Sequence, residues 1–188
     1  MATTTQRMTV EEYLAWGERP ENADRRTELV EGEVVEMPSP GDAHGVICYL
    51  LAGHFFVYFQ QHPPGYARTN DSGFVVSTDT VRGVDVAVFA TGMKGVVLSG
   101  YGKRVPVLCA EVVSPSDRMT QVHKRVKQYH TAGVSLVWVV QPEDRAVLVH
   151  RKGKPVELFE GDAELTTDPE FPGFACRVSD LFPPPDDV

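Results

Sequence analysis

Two apolar runs separated by a helix-length segment constrain the fold of this chain most. Residues 105–113 and 134–140 are apolar on both strand faces, and residues 117–132 carry apolar side chains at helical spacing before Gly133. Strands that are buried on both faces are typical of the centre of a sheet. Because a strand-helix-strand unit of this length usually joins parallel strands through a right-handed crossover, we predict a parallel central pair.

The remaining patterns predict helices around a mixed sheet, which is the α/β (α+β) class. Thr9 and Glu12 have the spacing of a capping box before a short helix. Asp42 is expected to cap a long helix that ends near Gln61. The predicted strands are a hairpin at residues 27–37, segments at residues 66–71, 73–77 and 84–89 with a turn at residues 79–83, and a hairpin of residues 146–151 and 155–159 around Lys152-Gly153-Lys154.

Composition limits the domain organisation and the kinds of partner. With 188 residues, 42% of them hydrophobic, the chain is expected to form one domain with a core at about residues 8–182 and flexible tails at residues 1–7 and 183–188. Its net charge of −8 argues against binding nucleic acid through the overall field, although a local basic patch stays compatible. Scattered cysteines and the lack of a long apolar run predict a cytoplasmic protein without disulfides or a membrane span.

Two acids stand beside apolar strands. Glu111 follows an apolar run, and Asp85 stands at the start of another. A buried carboxylate is costly unless it is paired, hydrogen-bonded or bound to a cation. If the two strands are neighbours, the carboxylates converge and offer the hard oxygen ligands that suit Mg²⁺ or Mn²⁺. The alternatives are that Asp85 caps a strand and that Glu111 pairs with Arg104 or Lys103.

Several segments form a pattern that is more specific than any single motif. They are Thr27-Glu28-Leu29-Val30-Glu31-Gly32-Glu33-Val34-Val35-Glu36-Met37, His44-Gly45, the Asp85 strand, Ala110-Glu111-Val112-Val113-Ser114-Pro115-Ser116-Asp117-Arg118, and the segment from Tyr129 to Val140. From about Met8 to Phe182 this pattern resembles the Uma2 family of bacterial endonucleases, in the PD-(D/E)XK restriction-endonuclease-like superfamily. The resemblance implies a restriction-endonuclease-like core, Asp85 and Glu111 as the metal-binding acids, and a homodimer.

The chain departs from the superfamily pattern in two places. Val84 replaces the usual proline before Asp85, and Val113 occupies the position of the usual lysine. The resemblance implies that this lysine has moved into the following helix, where Arg125 stands here. Arginine can stabilise the charge of a phosphorane, but it remains protonated and cannot act as a general base.

Helical geometry distinguishes Arg125 from the alternative, Lys124. At 100° per residue, Arg125 lies roughly 80° from the centre of the apolar stripe and Lys124 lies roughly opposite it. Arg125 is therefore expected to border the sheet beside Gln121, while Lys124 points to water. In the family an acid often stands at the Gln121 position, so the arginine has an altered neighbour.

Two weaker candidates, Glu28 and His44, come from the same resemblance. Glu28 matches an acid in the hairpin and His44 a histidine at the start of the long helix, although a strand glutamate is usually solvated and such a histidine usually makes local hydrogen bonds. Tyr129 and Trp138 are expected to be core aromatics whose polar atoms bond locally. Lys152 and Lys154 form either a solvated hairpin tip or contacts to backbone phosphates.

These observations favour a metal-dependent DNA endonuclease. Asp85, Glu111 and the main-chain carbonyl of Val112 would bind Mg²⁺ or Mn²⁺, and Arg125 would polarise the phosphate. The alternative is a catalytically weakened nuclease-fold module that binds nucleic acid or a protein partner. A third hypothesis is a metal-dependent hydrolase of a small phosphoester.

Overall fold

The structure is a computed structural model that describes residues 7–97, 100–115 and 117–184. Its helices are α1 (Val10–Gly17), α2 (Asp42–Gln61), α3 (Met119–Ala132) and a short 3-10 helix (Val178–Leu181). Its strands are β1 (Thr27–Val30), β2 (Glu33–Glu36), β3 (Tyr66–Arg68), β4 (Ser72–Ser77), β5 (Thr80–Val84), β6 (Val86–Phe89), β7 (Leu108–Val112), β8 (Leu136–Gln141), β9 (Ala146–Arg151), β10 (Glu157–Glu160), β11 (Glu164–Thr166) and β12 (Ala175–Arg177).

The described residues form two main sheets and one small one. The larger sheet has the order β10-β9-β8-β7-β6-β3, the second has the order β2-β1-β5-β4, and β11 pairs with β12. Strands β7 and β8 are parallel, which confirms the predicted central pair. The other neighbours are antiparallel, so the sheet is mixed, as expected.

Helices cover both faces of the larger sheet. The core on one face contains Leu51 and Phe55 of α2 packed near Trp138. The core on the other face contains Val122, Val126 and Tyr129 of α3, which together form the buried stripe of that helix. By length and apolar composition alone α2 could cross a membrane, a property that it shares with the core helices of many globular proteins.

Local signals explain where α1 and α3 begin and end. The capping box of Thr9 and Glu12 is present, with reciprocal bonds of 2.8 and 3.2 Å between each side chain and the other's main-chain N–H. Gly133 closes α3 in the left-handed region at φ 107°, which favours glycine because a Cβ atom would be strained there. Capping chemistry is local, so these two ends follow from the sequence alone.

Several predicted boundaries were wrong. The strand predicted at residues 66–71 ends at Arg68, and the helix predicted at residues 117–132 begins at Met119. The predicted turn at residues 79–83 is mostly strand β5, because Val81 and Val84 are buried and pairing with β1 and β4 overrides the turn preference of Gly83. The strand predicted at residues 105–113 begins at Leu108, and Val105 is 45% exposed. Asp42 is the first residue of α2 and makes no capping bond, since Gly41 occupies the capping position.

The predicted tails lie largely outside the described residues, at residues 1–6 and 185–188. Within the described part, the N–H of Met8 donates to the carbonyl of Gly32 at 2.8 Å. Arg145 donates to the carbonyl of Pro183 at 2.9 Å. Main-chain groups near both ends of the core are therefore engaged.

Candidate active site

The two sequence-predicted acids meet where the chain passes from one sheet to the other. Asp85 lies between β5 and β6, and β6 pairs with β7 so that Val86 is opposite Ala110. The next position of this antiparallel register brings Asp85 opposite Glu111. The N–H of Val112 donates to Asp85 Oδ2 at 2.7 Å. Both carboxylates are buried, with exposed fractions of 8% for Asp85 and 3% for Glu111.

Glu111 is held by two side chains of α3. Arg125 Nη1 donates to Glu111 Oε2 at 2.8 Å, and the hydroxyl of Tyr129 donates to Oε1 at 2.6 Å. Burial, followed by the nearby charge of Asp85, raises the pKa of Glu111 to about 8 against the opposing effects of Arg125 and Tyr129. Arg104 instead contacts Thr91 and main-chain carbonyls, so it is not the partner of this acid.

Helix α3 presents Arg125 and Lys124 in different directions, as the helical spacing predicts. Lys124 Nζ lies 2.8 Å from the half-exposed Glu31 carboxylate at the surface. Arg125 is 17% exposed and bridges two acids, because its Nη2 also lies 3.9 Å from Glu28 Oε2. The charges of Glu111 and Glu28 raise the pKa of Arg125 despite its burial. Lys124 therefore contributes no charge to the buried acid pair.

Glu28 is buried rather than solvated, so the ordinary interpretation of a strand glutamate was wrong here. Its Oε2 accepts from Arg82 Nη1 at 2.7 Å, and its Oε1 accepts from the N–H of Gly83 at 2.8 Å. Arg82 also donates to Gln128 Oε1 from Nε and Nη2 at 3.0 and 2.8 Å. The network ties β1 and β5 to α3, which fixes the helix that carries Arg125.

His44 approaches Asp85 from the first turn of α2. Its Nε2 lies 3.2 Å from Asp85 Oδ2, and its Nδ1 lies 3.6 Å from the thiol of Cys48. The hydrogen bond to Asp85, followed by the one to Cys48, raises the pKa of His44 to about 10. For Asp85, burial opposes ionisation, but the hydrogen bonds from His44 and Asp71 outweigh it and hold its pKa below the ordinary value.

Asp71 is a site residue that the sequence analysis missed. It contacts Asp85 and pairs with Arg26. Burial, followed by the hydrogen bond to Asp85, raises its pKa to about 6. Asn70 and Asp71 have φ values of 68° and 47°, and a Cβ atom on Gly83 would lie 3.0 Å from Asp71 Cβ. The Asn70-Asp71 pair, which tolerates this conformation, was the available signal.

Two other missed residues had a signal in the sequence. Arg82 stands in an otherwise apolar strand, so it satisfies the same criterion that singled out Glu111. Tyr129 was expected in the core, where it is, but its hydroxyl bonds to the acid rather than to a local group. Trp138 is also in the core, and the expected local bond is absent because its Nε1 has no hydrogen-bond partner among the described residues.

The remaining candidates lie at the edge of the site or away from it. Gln121 is exposed and lines a smaller cleft of about 500 Å³ together with Glu28, Lys124 and Arg125. Lys152 and Lys154 lie in the turn after β9 and before β10. Lys152 lines a separate cleft in contact with α3, so it does not join the carboxylates.

Glu28, Asp71 and Asp85 line a cleft of about 830 Å³ together with His44 and Arg125. Glu111 is not one of the lining residues and contacts the cleft through Arg125. The carboxylate oxygens and the main chain of Val112 are the donor types that Mg²⁺ and Mn²⁺ prefer, so the donor set fits such an ion. Among the described residues, however, no three histidine, cysteine or acidic side chains form a ready-made metal site. Each oxygen of Glu111 accepts one hydrogen bond, so an ion would bind there through a remaining lone pair, beside Arg125 or Tyr129.

Comparisons with known proteins identify the family and the fold. A family model described as "Uma2: Putative restriction endonuclease" matches residues 10–179. A crystal structure of a protein from Anabaena variabilis ATCC 29413, described as a putative nuclease belonging to DUF820, superposes with a TM-score of 0.77 at 21% sequence identity, covering 93% of this chain and 97% of that one. No curated protein matches the sequence. The structural likeness confirms the predicted nuclease-like fold of mixed sheet and helices.

Proposed function

The chain belongs to the Uma2 family, and from that premise we propose that it is a divalent-metal-dependent endonuclease that hydrolyses DNA phosphodiester bonds. The family and the fold support a nuclease. The metal requirement and the residue roles are our proposal. The observation that carries it is the convergence of the buried acids Asp85 and Glu111: Asp85 and Arg125 line the cleft, and Arg125 contacts Glu111.

We assign the metal to Asp85, Glu111 and the main-chain carbonyl of Val112. The N–H of Val112 points to Asp85, and since the N–H and C=O of one strand residue lie on the same side, the carbonyl faces the same acid. Bound Mg²⁺ or Mn²⁺ supplies Lewis acidity and a nucleophilic water at neutral pH. Hard oxygen donors with two carboxylate charges suit both ions.

The other side chains orient the acids and supply positive charge. Arg125 keeps its proton, so it can bind a phosphate oxygen and stabilise the charge of the phosphorane, but it cannot accept a proton. His44 fixes the direction of Asp85 through the 3.2 Å contact. Tyr129 fixes Glu111 through the 2.6 Å hydrogen bond. Glu28 lies 3.9 Å from Arg125 and stays in reach of it if Glu111 binds a metal.

A cleavage assay with one substitution tests the proposal. Purified protein is incubated with plasmid, single-stranded DNA and RNA, with Mg²⁺, with Mn²⁺ and with EDTA, beside Glu111→Ala. We expect metal-dependent DNA cleavage that Glu111→Ala lowers about a thousandfold, since several kcal/mol of transition-state stabilisation are lost. Lys124→Ala, one residue from Arg125 but paired at the surface, is the control and should cleave normally. Cleavage that survives both EDTA and Glu111→Ala would refute the assigned chemistry.

The second candidate is a nuclease-fold module that binds nucleic acid without cutting it. Both Glu111 oxygens accept hydrogen bonds, and Val113 stands in the usual lysine position. Arg125 therefore partly neutralises the charge that a metal would neutralise. Salt-sensitive DNA binding without cleavage in any metal would favour this module over the enzyme.

We also propose that the protein is a homodimer that pairs through the outer face of α2. Tyr49, Phe56 and Val57 of this helix are 74%, 65% and 60% exposed. Residues 43–61 contain no lysine, arginine, aspartate or glutamate although the chain carries a net charge of −8, so two copies could pack here without like-charge repulsion. Sedimentation equilibrium measures the mass directly, and a monomer at high protein concentration would exclude the dimer.

A further inference from the structure

A second cleft, of about 670 Å³, lies between α3 and the turn after β9. Its basic lining residues are His123, Lys127, His130, His150 and Lys152, and none of the described residues that line it is acidic. The chain has a net charge of −8, so this group of bases is a local exception to its overall negative charge. We call this the histidine-lysine pocket.

The histidine-lysine pocket is separate from the carboxylate site. At 100° per residue, His123, Lys127 and His130 lie roughly 140–160° around α3 from Arg125. The nearest acid of β10, Glu157, pairs with Val149, whose side chain belongs to the core on the α2 face. Residues that pair directly share a face of the sheet, so Glu157 points away from the pocket.

Within residues 7–97, 100–115 and 117–184, no acidic side chain pairs with the imidazole groups of the pocket. His130 Nδ1 lies 2.9 Å from the carbonyl of Val134; a carbonyl only accepts, so Nδ1 carries the hydrogen of that bond. His150 Nε2 is buried and has no hydrogen-bond partner in the described part of the chain. The rings of His123 and His150 lie 6.5 Å apart. Burial, followed by the charges of His123 and His130, lowers the pKa of His150.

We propose that the histidine-lysine pocket binds a phosphate group, which is the chemistry shared by the DNA backbone and free phosphate. Two ammonium groups and the N–H groups of histidines suit an anion with several acceptor oxygens. Val126 and Val156 also line the cleft and give it apolar walls that strengthen such contacts. The DNA source rests on the proposed nuclease function, whereas binding of free phosphate does not.

The test uses the full chain in EDTA, so that no cleavage occurs and no metal binds. The imidazole signals of the histidines are followed by NMR at about pH 6, where histidines gain charge, during titration with inorganic phosphate and, separately, with a short DNA duplex. We expect saturable shifts of His123, His130 and His150 with both probes. Lys127→Gln with Lys152→Gln should weaken binding of each probe by up to about a hundredfold, about tenfold for each charged hydrogen bond that is lost.

A matched control variant loses two lysine charges at positions outside the histidine-lysine pocket. Lys94→Gln with Lys103→Gln alters two exposed lysines outside the pocket and should leave phosphate affinity unchanged. For DNA, the pocket variant should also lower the slope of log affinity against log salt by about one per lysine that contacts phosphate. Thermal unfolding of both variants checks that their folds are intact.

The possible outcomes distinguish failure of the phosphate-binding proposal from failure of the proposed nuclease function. Shifts with phosphate and with DNA support a backbone-phosphate contact, and shifts with phosphate alone support the pocket with free phosphate as its ligand. Absence of shifts with both probes, or equal affinity in the pocket variant and the control, overturns the proposal. A separate titration without EDTA checks for a metal site, and shifts that occur only there, after Zn²⁺ is added, also overturn the proposal. Failure here leaves the Glu111→Ala cleavage test unaffected.

Discussion

The two sides of α3 differ in whether their charged side chains have an oppositely charged partner. On the side of Arg125, the buried acids Glu28 and Glu111 each have an arginine within 2.7–2.8 Å. On the other side, the more exposed bases of the histidine-lysine pocket have no acid among the lining residues. Water stabilises exposed charges, whereas buried charges need a partner in the protein. The comparison shows that burial, not charge itself, determines where counter-ions are required.

Removing one positively charged side chain from each side of α3 should give the largest difference in stability between the two sides. Arg82→Met leaves Glu28 buried without its main partner, so we expect the free energy of unfolding to fall by about 3–5 kcal/mol. Lys127→Met, on the other side of α3, should change it by less than about 0.5 kcal/mol. Urea unfolding in EDTA measures both values. Equal losses would contradict the assignment of a buried ion pair at Arg82.

Cleavage rates test whether Arg125 and its neighbour Lys124 differ in function. If Arg125 acts through its charge, Arg125→Lys should preserve or raise the cleavage rate, while Arg125→Met should lower it about a hundredfold, the cost of losing one charged donor. Lys124→Met should have little effect because Lys124 pairs with Glu31 at the surface. Single-turnover rates with saturating Mn²⁺ separate the three variants. Complete loss in Arg125→Lys would refute the electrostatic role.

The two sides of α3 should also change the folding stability in opposite directions as pH rises. These are the smallest of the expected effects. The pKa of Glu111 is raised from 4.5 to about 8, so the native state holds more protons than the unfolded state in that range and Glu111 makes stability fall as pH rises through it. The pKa of His150 is lowered from 6.5, so the unfolded state holds more protons and His150 makes stability rise as pH increases toward 6.5.

Two neutral substitutions isolate these contributions. Glu111→Gln should raise Tm more at about pH 8 than at about pH 5, because it removes the titration that opposes folding there. His150→Gln should instead raise Tm only at acid pH, where the unfolded state of the wild type binds the extra proton. Thermal unfolding across pH in EDTA follows both. Parallel Tm profiles for wild type and Glu111→Gln would show that this acid is not buried as described.

The strands, helices and parallel crossover followed largely from the sequence. The apolar runs that became β7 and β8 and the capping signals of Thr9 and Gly133 act within a few residues, so pattern alone located them. The turn wrongly predicted at β5 shows the opposite case, in which contacts between distant segments override a local preference. Its Gly83 favours a turn locally, but pairing of β5 with β1 and β4 supplies hydrogen bonds that outweigh that preference.

The site was predictable only in part. The convergence of Asp85 with Glu111 followed from two acids beside apolar strands, and the direction of Arg125 followed from helical spacing. Asp71, Arg82 and Tyr129 joined the site through contacts between residues far apart in the chain. The sequence held a signal for each of these residues but did not identify the group that each one contacts, because that depends on how the two sheets and α3 meet.

The sequence by itself determined which segments would be buried and that two acids would be buried with them. Tertiary structure alone decided how these acids are balanced: Arg125 and Tyr129 on Glu111, Arg82 on Glu28, and His44 with Asp71 on Asp85. It also gathered the three histidines of the opposite cleft. The physical reason is that apolar periodicity is a local property, whereas the partner of a buried charge is whichever group the fold brings within hydrogen-bond distance.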